Sequence, residues 1–417
     1  MRLITDWHVH SKYSRACSQS LELPRIAQMC QRKGIDVVAT GDWTHPKWVE
    51  HLKEQLVESE QGIYTLKSGG PTRFMLVTEI SQIYKKGDKT RRIHNLVFAP
   101  SLEAVDKVNA ELDRREFNRK SDGRPILGID SEELYKILKD IDERIIIVPA
   151  HAWTPWYSVF GSKSGFDHLE ECFGEMTKYI YAIETGLSSN PKMNWQLSAL
   201  DKVVLISNSD AHSPDKLGRE ANVFDLEKPC YDEFVRVLRE QDRSKFLSTI
   251  EFFPEEGKYH FDGCADCKIA CDPTESKRLG FRCPKCKKNF TLGVEHRVRA
   301  LADREAADAK NKIPYKSIVP LLEVIADSFG VQPGSKKVAA EYTRLTDRIG
   351  SEFHILLDAP IDQIAKESSD PNVAEAVRRI REGNVIATPG YDGIFGTIKV
   401  FGDSDRPKQP AQTNLSL

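Results

Sequence analysis

At 417 residues, with 40% hydrophobic and 29% charged side chains, the chain is too long for one core and too apolar to be disordered; two or three domains are expected. A net charge of −2 excludes a global attraction for a polyanion, so any such partner must be met by local charge. No apolar run is long enough to span a bilayer and no apolar leader opens the chain, so the expectation is a cytoplasmic protein without a membrane partner.

From residue 1 to about 250 the pattern alternates strand and helix. Strands are expected at residues 3–7, 35–40, 74–78, 96–99, 145–148, 179–183 and 203–207, where β-branched and aliphatic residues cluster. Between them lie amphipathic helices at 21–33 (stopped by Gly34), 101–115, 130–139 (with Ser131 as its cap) and 193–200. Such alternation argues for a parallel sheet with helices outside, and seven strands fit a closed barrel better than an open sheet. Beyond a cysteine-rich stretch, helices are expected at 298–309, 318–329, 336–349 and 372–382, with a strand at 353–357. The expected domains are a barrel over 1–255, a cysteine module over 256–295, a helical region over 296–402, and a disordered polar tail over 403–417.

Metal-ligand residue types sit where the apolar runs end: His8 and His10, Asp42, Glu79, His94, His151, Glu184, then Asp210 and His212. A barrel gathers its strand ends on one face, so these residues can meet. Imidazole and carboxylate together suit zinc, manganese or iron. His8 and His10, two apart on a strand end, point the same way, and Asp210 and His212 repeat that spacing. Glu79 is the natural bridging carboxylate of a multinuclear hydrolase, which needs no nucleophilic side chain.

Nine cysteines are an odd number, and four of them form two Cys-x-x-Cys pairs, Cys264/Cys267 and Cys283/Cys286. That spacing signals one structural zinc held by four thiolates, with Cys271 as an alternative ligand. Residues 258–304 hold eleven Lys/Arg against six Asp/Glu, a local excess that suits a phosphate backbone; Lys285 and Lys287 are its leading candidates.

The motifs Asp6-Trp7-His8-Val9-His10-Ser11, Thr40-Gly41-Asp42, Val77-Thr78-Glu79, His94, Pro149-Ala150-His151 and Asn208-Ser209-Asp210-Ala211-His212 together resemble the polymerase-and-histidinol-phosphatase (PHP) family of metal phosphoesterases. The resemblance implies a PHP-type distorted (β/α)7 barrel with an added four-cysteine zinc ribbon and a helical C-terminal region. It implies that His8, His10, Glu79 and Asp210 hold one metal and that Glu79, His94 and His151 hold a second. With His212 these form the expected catalytic set, and the expected barrel metal ligands are the same residues with Asp42. Two or three divalent ions (zinc, manganese or magnesium) are implied. The second motif lacks the family's usual histidine after Asp42, leaving the third ion open between His212 with Asp42 and His212 with His45. Glu184 stays open between a ligand and a supporting role.

Ser14-Arg15-Ala16-Cys17, Gly41-Asp42-Trp43-Thr44-His45-Pro46, the stretch from Pro149 to Trp156, the ribbon and the Gly-Tyr-Asp-Gly turn at 390–393 narrow the resemblance to the endonuclease Q family over nearly the full length. That family implies a DNA repair nuclease cutting 5′ to uracil, hypoxanthine, xanthine or an abasic site, on double- or single-stranded DNA. A replication or repair factor is a further candidate partner. Trp153, Trp156, Tyr157 and Phe160, with Tyr391, Asp392 and Phe395, are candidates for a pocket that takes the damaged base, and Arg15 for a phosphate contact. The alternative activity is a small-molecule phosphatase of the histidinol-phosphatase kind.

Overall fold

The computed structural model describes residues 1–402; the tail 403–417, expected to be disordered, lies outside the described residues. Two compact units divide the chain. One comprises residues 1–317 with 388–397, the other residues 318–387 with 398–402.

The first unit is built on seven barrel walls. β1 (Arg2–Asp6) pairs in parallel with β2 (Val37–Ala39), and β2 in parallel with β3 (Arg73–Met75). After Leu76 the chain enters β4 (Val77–Lys86), which leaves that sheet to pair antiparallel with β5 (Lys89–Phe98). β3 and β4 thus make one wall that switches partners. β5 pairs antiparallel with β6 (Ile146–Pro149). The Ala152 N–H then donates to Glu184 O (2.9 Å), leading to the parallel pair β7 (Ala182–Glu184) and β8 (Val204–Ile206). Val9 bridges Ala211 and closes the ring at its mouth.

Below that bridge the ring is splayed. β1 pairs antiparallel with β9 (Ala221–Asp225), which pairs with β10 (Phe246–Phe252). Asn222 fills the gap with its amide, accepting from Ser207 N–H (2.9 Å) and donating to Ser207 O (2.9 Å). A side chain thus replaces ladder bonds that the distorted ring cannot make.

The expectation of an all-parallel barrel is corrected at β4–β5. Their ladder runs from Val77↔Phe98 to Lys86↔Lys89, closed by Gly87-Asp88 with Gly87 at φ 63°. Such a turn makes a hairpin, not a crossover. Because the hairpin runs on past the mouth, Glu79 and His94 stand inside long strands instead of at strand ends.

Helix starts follow their caps. Leu23–Lys33 stops at Gly34 (φ 87°), as expected. Leu102–Arg114 is capped by Ser101, whose hydroxyl accepts from Ala104 N–H. Ser131–Ile141 is capped by Asp130 and not by Ser131, whose hydroxyl turns inward to Gln82 Oε1 (3.0 Å). The helix expected at 193–200 is only the short turns Pro191–Asn194 and Ser198–Lys202. The Asp303 carboxylate takes both the N–H and hydroxyl of Ser198, drawing the chain out of helical continuation.

The helix expected at 298–309 is Val294–Leu301 and belongs to the first unit. His296 Nδ1 lies 2.7 Å from Asp262 Oδ2, and Arg297 donates to Phe160 O, so it is fastened to the cysteine module and the barrel. The helical unit therefore begins at 318 and not at 296. It holds the helices Leu321–Phe329, Lys336–Arg348, Glu352–Leu357, Ile361–Glu367 and Pro371–Arg381. The run 353–357, expected as a strand, is thus helical. Ser351 caps it, and buried Glu352 accepts from Leu321 N–H (3.0 Å) and Tyr342 OH (2.8 Å). A five-residue apolar run carries no period of its own.

Candidate metal centre

At the barrel mouth, two donor groups are each gathered within 4.8 Å: His8, His10 and Asp210; and Glu79, His94 and His151. Glu79 joins them. Its Oε1 lies 2.6 Å from His94 Nδ1, 3.1 Å from His151 Nε2 and 3.6 Å from His8 Nε2; its Oε2 lies 3.7 Å from His10 Nε2. Asp210 Oδ1 stands 3.0 Å from His10 Nε2 and 3.5 Å from His8 Nε2.

Each imidazole is oriented from behind. His8 Nδ1 lies 3.0 Å from Glu184 Oε2, and His10 Nδ1 3.2 Å from Asp42 Oδ1. His94 Nε2 faces Ser81 Oγ (3.1 Å), and His151 Nδ1 faces Ser158 Oγ (3.1 Å). Glu184 is itself held by the N–H of His151 (2.7 Å) and the Asn208 amide (2.9 Å). Asp42 was expected among the ligands, but its carboxylate is taken up by His10, by the Ser11 N–H and hydroxyl (2.7 and 2.6 Å) and by Ser14 (2.9 Å). It stands behind His10 and is absent from both donor groups. His45 stacks on Tyr13, with centroids 4.4 Å apart, and belongs to neither group. His212 does reach the mouth: its Nδ1 lies 2.9 Å from Asp210 O and its ring 4.6 Å from that of His10.

The backbone here is strained. Asp42, His151 and Asp210 have φ of 40°, 29° and 48°, in the region L side chains avoid. Gly41 makes one of these turns possible, since a Cβ there would meet Val9 O at 2.5 Å.

The residues fit metal ions. His8 Nε2 is buried without a hydrogen-bond partner and points between two carboxylates. An unsatisfied buried nitrogen is costly unless something ligates it. Burial alone would push His8 down, but the Glu184, Asp210 and Glu79 carboxylates outweigh it and hold the ring well above the usual histidine range. His10 is buried too, yet its bonds to Asp210 and Asp42 hold it up at about 9. Against the pull of burial, His94, His8 and Arg124 keep Glu79 far below the usual carboxylate range.

The four-cysteine module is a second metal-binding geometry. All four Sγ atoms gather within 4.8 Å, with Cys264 and Cys286 3.8 Å apart. Ligands about 2.3 Å from a tetrahedral ion would stand about 3.8 Å from one another. Cys271 lies on the strand Ile269–Cys271, outside the group. Each Cys-x-x-Cys is followed by a lysine at positive φ, Lys268 at 54° and Lys287 at 64°, so the two halves repeat one turn.

Above the barrel mouth opens a cleft of about 620 Å³, the size of a small-ligand site. His94, His151, Glu184, Asp210 and His212 form its floor; Trp156, Tyr157, Tyr259 and Phe395 its walls; Lys216, Arg219 and Lys258 add positive charge.

Residues 204–242 match a family model described as PHP-associated, and residues 320–384 one described as the MJ0043 C-terminal domain. The uncharacterized protein MJ0043 of Methanocaldococcus jannaschii is 30% identical over 285 residues, 66% of this chain; the match spans 35% of that protein's length. The crystal structure of a lesion-specific endonuclease from Pyrococcus furiosus matches with a TM-score of 0.84 at 31% identity, over 96% of each chain. Endonuclease Q in complex with a 27-mer duplex substrate, an abasic lesion at its active site, matches at 0.87 and 30% identity over 99% of this chain and 100% of that one. The chain belongs to the endonuclease Q family.

In this endonuclease Q chain, the residues expected around the lesion separate. Trp156 and Tyr157 line the cleft. Trp153, 1% exposed, does not: its indole N–H donates to Asn194 Oδ1 (2.7 Å) and its ring packs on the equally buried Phe160. Tyr391 and Asp392 are also displaced from the pocket role. Asp392 accepts from Ala265 N–H (2.7 Å), and the Tyr391 ring covers Gly263, so both fasten the glycine-rich turn to the cysteine module. Arg15 is exposed beside Asp122 (3.6 Å), next to the cleft-lining Ala16. Lys285 and Lys287 are exposed on the second cysteine turn.

Sequence reasoning missed Arg124, which reaches Glu79 Oε2 (3.3 Å) from an irregular segment where no period marks it. It also missed Arg219, which donates to Ser209 O (2.8 Å), and Tyr259, half-buried in the cleft wall. Only the Ser-Asp-Gly-Arg-Pro cluster at 121–125 signalled an ordered turn there.

Proposed function

We propose that this protein is a metal-dependent DNA repair endonuclease that hydrolyses the phosphodiester 5′ to uracil, hypoxanthine, xanthine or an abasic site, leaving 3′-hydroxyl and 5′-phosphate ends. The observation that carries it is the cleft. His94, His151 and Asp210, drawn from both donor groups, line it beside aromatic side chains, and Glu79 links the two groups. In support, the family relative in complex with DNA holds a duplex with an abasic lesion at its active site.

Two or three divalent ions (zinc, manganese or magnesium) would supply a hydroxide at neutral pH and neutralise the phosphate. The chain's own residues do the rest. Glu184 and Asp42 fix the tautomers of His8 and His10, leaving each Nε2 for an ion. With Nδ1 committed to Asp210 O, His212 keeps Nε2 for a third ion or for the departing oxygen. Trp156, Tyr157 and Tyr259 exclude water and offer faces to an extruded base, which costs least to unstack when damaged or mispaired. The four cysteines would hold a structural zinc, and exposed Lys285 and Lys287 would meet the DNA backbone.

The test is incubation with Mg²⁺ or Mn²⁺ and end-labelled duplex carrying one deoxyuridine or deoxyinosine, beside an undamaged control. One cut immediately 5′ of the lesion, abolished by chelator, is expected. No cut on any duplex, with phosphate released from small monoesters, would move the protein to the phosphatase reading.

A further inference from the structure

The turn 390–396 is held unusually firmly for a loop. Gly390 N–H donates to Glu255 O (2.7 Å), Gly393 N–H to Lys258 O (2.9 Å) and Gly396 N–H to Glu256 O (2.9 Å). Phe261 N–H donates to Gly390 O (2.9 Å), and the Asp392 carboxylate accepts from Ala265 N–H (2.7 Å). A Cβ on Gly396 would meet Glu255 O at 2.1 Å, and one on Gly390 would meet Gly257 O at 2.4 Å, so the turn sits flush on that segment. From this rigid base Phe395 projects, 56% exposed, into the lining of the cleft above the metal-binding floor. Lys258 Nζ lies 5.8 Å from its ring centroid. A single exposed phenylalanine is ordinary. One carried on a turn fixed by five hydrogen bonds, at the lip of the cleft and with a cation beside it, is not explained by folding.

We infer that Phe395 is the wedge that enters the base stack and fills the gap left by the extruded nucleotide, an assignment that rests on the endonuclease reading. The fixed base makes insertion cheap, because little loop entropy is lost on binding. An apolar ring replaces part of the stacking that the departing nucleotide surrenders. Lys258 is placed to meet the phosphate next to that gap. Phe395 is a positioning residue: it acts on the stack, not on the reacting atoms.

The alternative role is stacking on the extruded base, and an abasic site separates the two because it has no base to stack on. Phe395→Ala and Phe395→Leu are compared with wild type on three substrates: a deoxyuridine duplex, an abasic duplex and a deoxyuridine single strand. Phe395→Ala should slow both duplexes about tenfold or more. It should leave the single strand within about twofold, there being little stack to open, and Phe395→Leu should recover most of the duplex rate. 2-Aminopurine beside the lesion should brighten less on binding the alanine variant. Loss on the uracil duplex but not the abasic duplex overturns the wedge for base stacking. Equal loss on all three, or none on any, overturns it as well. A wild-type protein that cuts none of the three fails at the endonuclease reading, which is distinguishable from failure of the wedge alone.

Discussion

His8 and His10 present Nε2 to the donor cluster because carboxylates hold their Nδ1 atoms from behind. Glu184→Gln should therefore lower metal affinity about 10- to 100-fold without removing a ligand. Metal content after dialysis against graded free zinc measures this; unchanged retention would show that Glu184 does not orient His8. The same arrangement fixes a pH dependence. Metal-free His8 and His10 are held above their ordinary range, His10 at about 9, by carboxylates that outweigh burial. His10 is thus protonated at pH 7, and an ion must displace that proton. Loading should release protons, and affinity should fall as pH falls. Calorimetry in two buffers of different ionisation enthalpy reads the release, and identical heats in both would defeat the idea.

At the scale of the element, the cysteine module has little core beyond its ligands. Its buried cluster is Cys264, Cys271, Cys283 and Phe290, with Ile269, Leu279, Cys267 and Cys286 against it. A module so small has too little core to fold alone, and four gathered thiolates would let an ion fold it. Cys283→Ser should lower the metal count by one per chain while the barrel keeps its ions, and should weaken DNA binding more than turnover of bound DNA. Elemental analysis with a binding titration checks this; loss of barrel ions as well would mean that the module and barrel fold as one. Elements with strong local signals were legible in the sequence. The two Cys-x-x-Cys turns, the His-x-His and Asp-x-His strand ends and the Gly34 stop all depend on neighbours in the chain. Elements decided by distant partners were not. The 353–357 run takes its helical form with Glu352 bound to Leu321 and Tyr342, and Trp153 turns from the cleft to Asn194. Arg124 belongs to the site only because an irregular loop passes Glu79.

At the scale of the whole molecule, two carboxyls buried behind the metal floor couple stability to pH. Glu251 on β10 accepts from Thr185 (3.2 Å), Ser207 (3.0 Å) and Thr249 hydroxyls; fully buried Glu220 accepts from Phe252 N–H (3.2 Å) and leaves Oε2 without a partner. Burial pushes both up, Glu251 to about 7, and Glu220 is raised further by its neighbour Glu251. The folded state therefore keeps the Glu251 proton between its ordinary value of 4.5 and about 7, where the unfolded chain has lost it. With more protons bound when folded, the contribution of Glu251 to stability falls as pH rises through that window, by on the order of 3 kcal/mol, and is flat above it. Glu251→Gln mimics the protonated form and should remove this group's share of the slope, leaving the variant more stable than wild type at pH 8 and about equal at pH 4.5. All six tryptophans lie in the first unit, so their emission during urea unfolding reports the barrel and not the helical unit. Metal loading also changes with pH, so the difference between the two proteins at each pH carries the inference. A difference that stays constant from pH 5 to 8 would mean that Glu251 is ionised in the folded barrel and that its three hydroxyl partners outweigh burial.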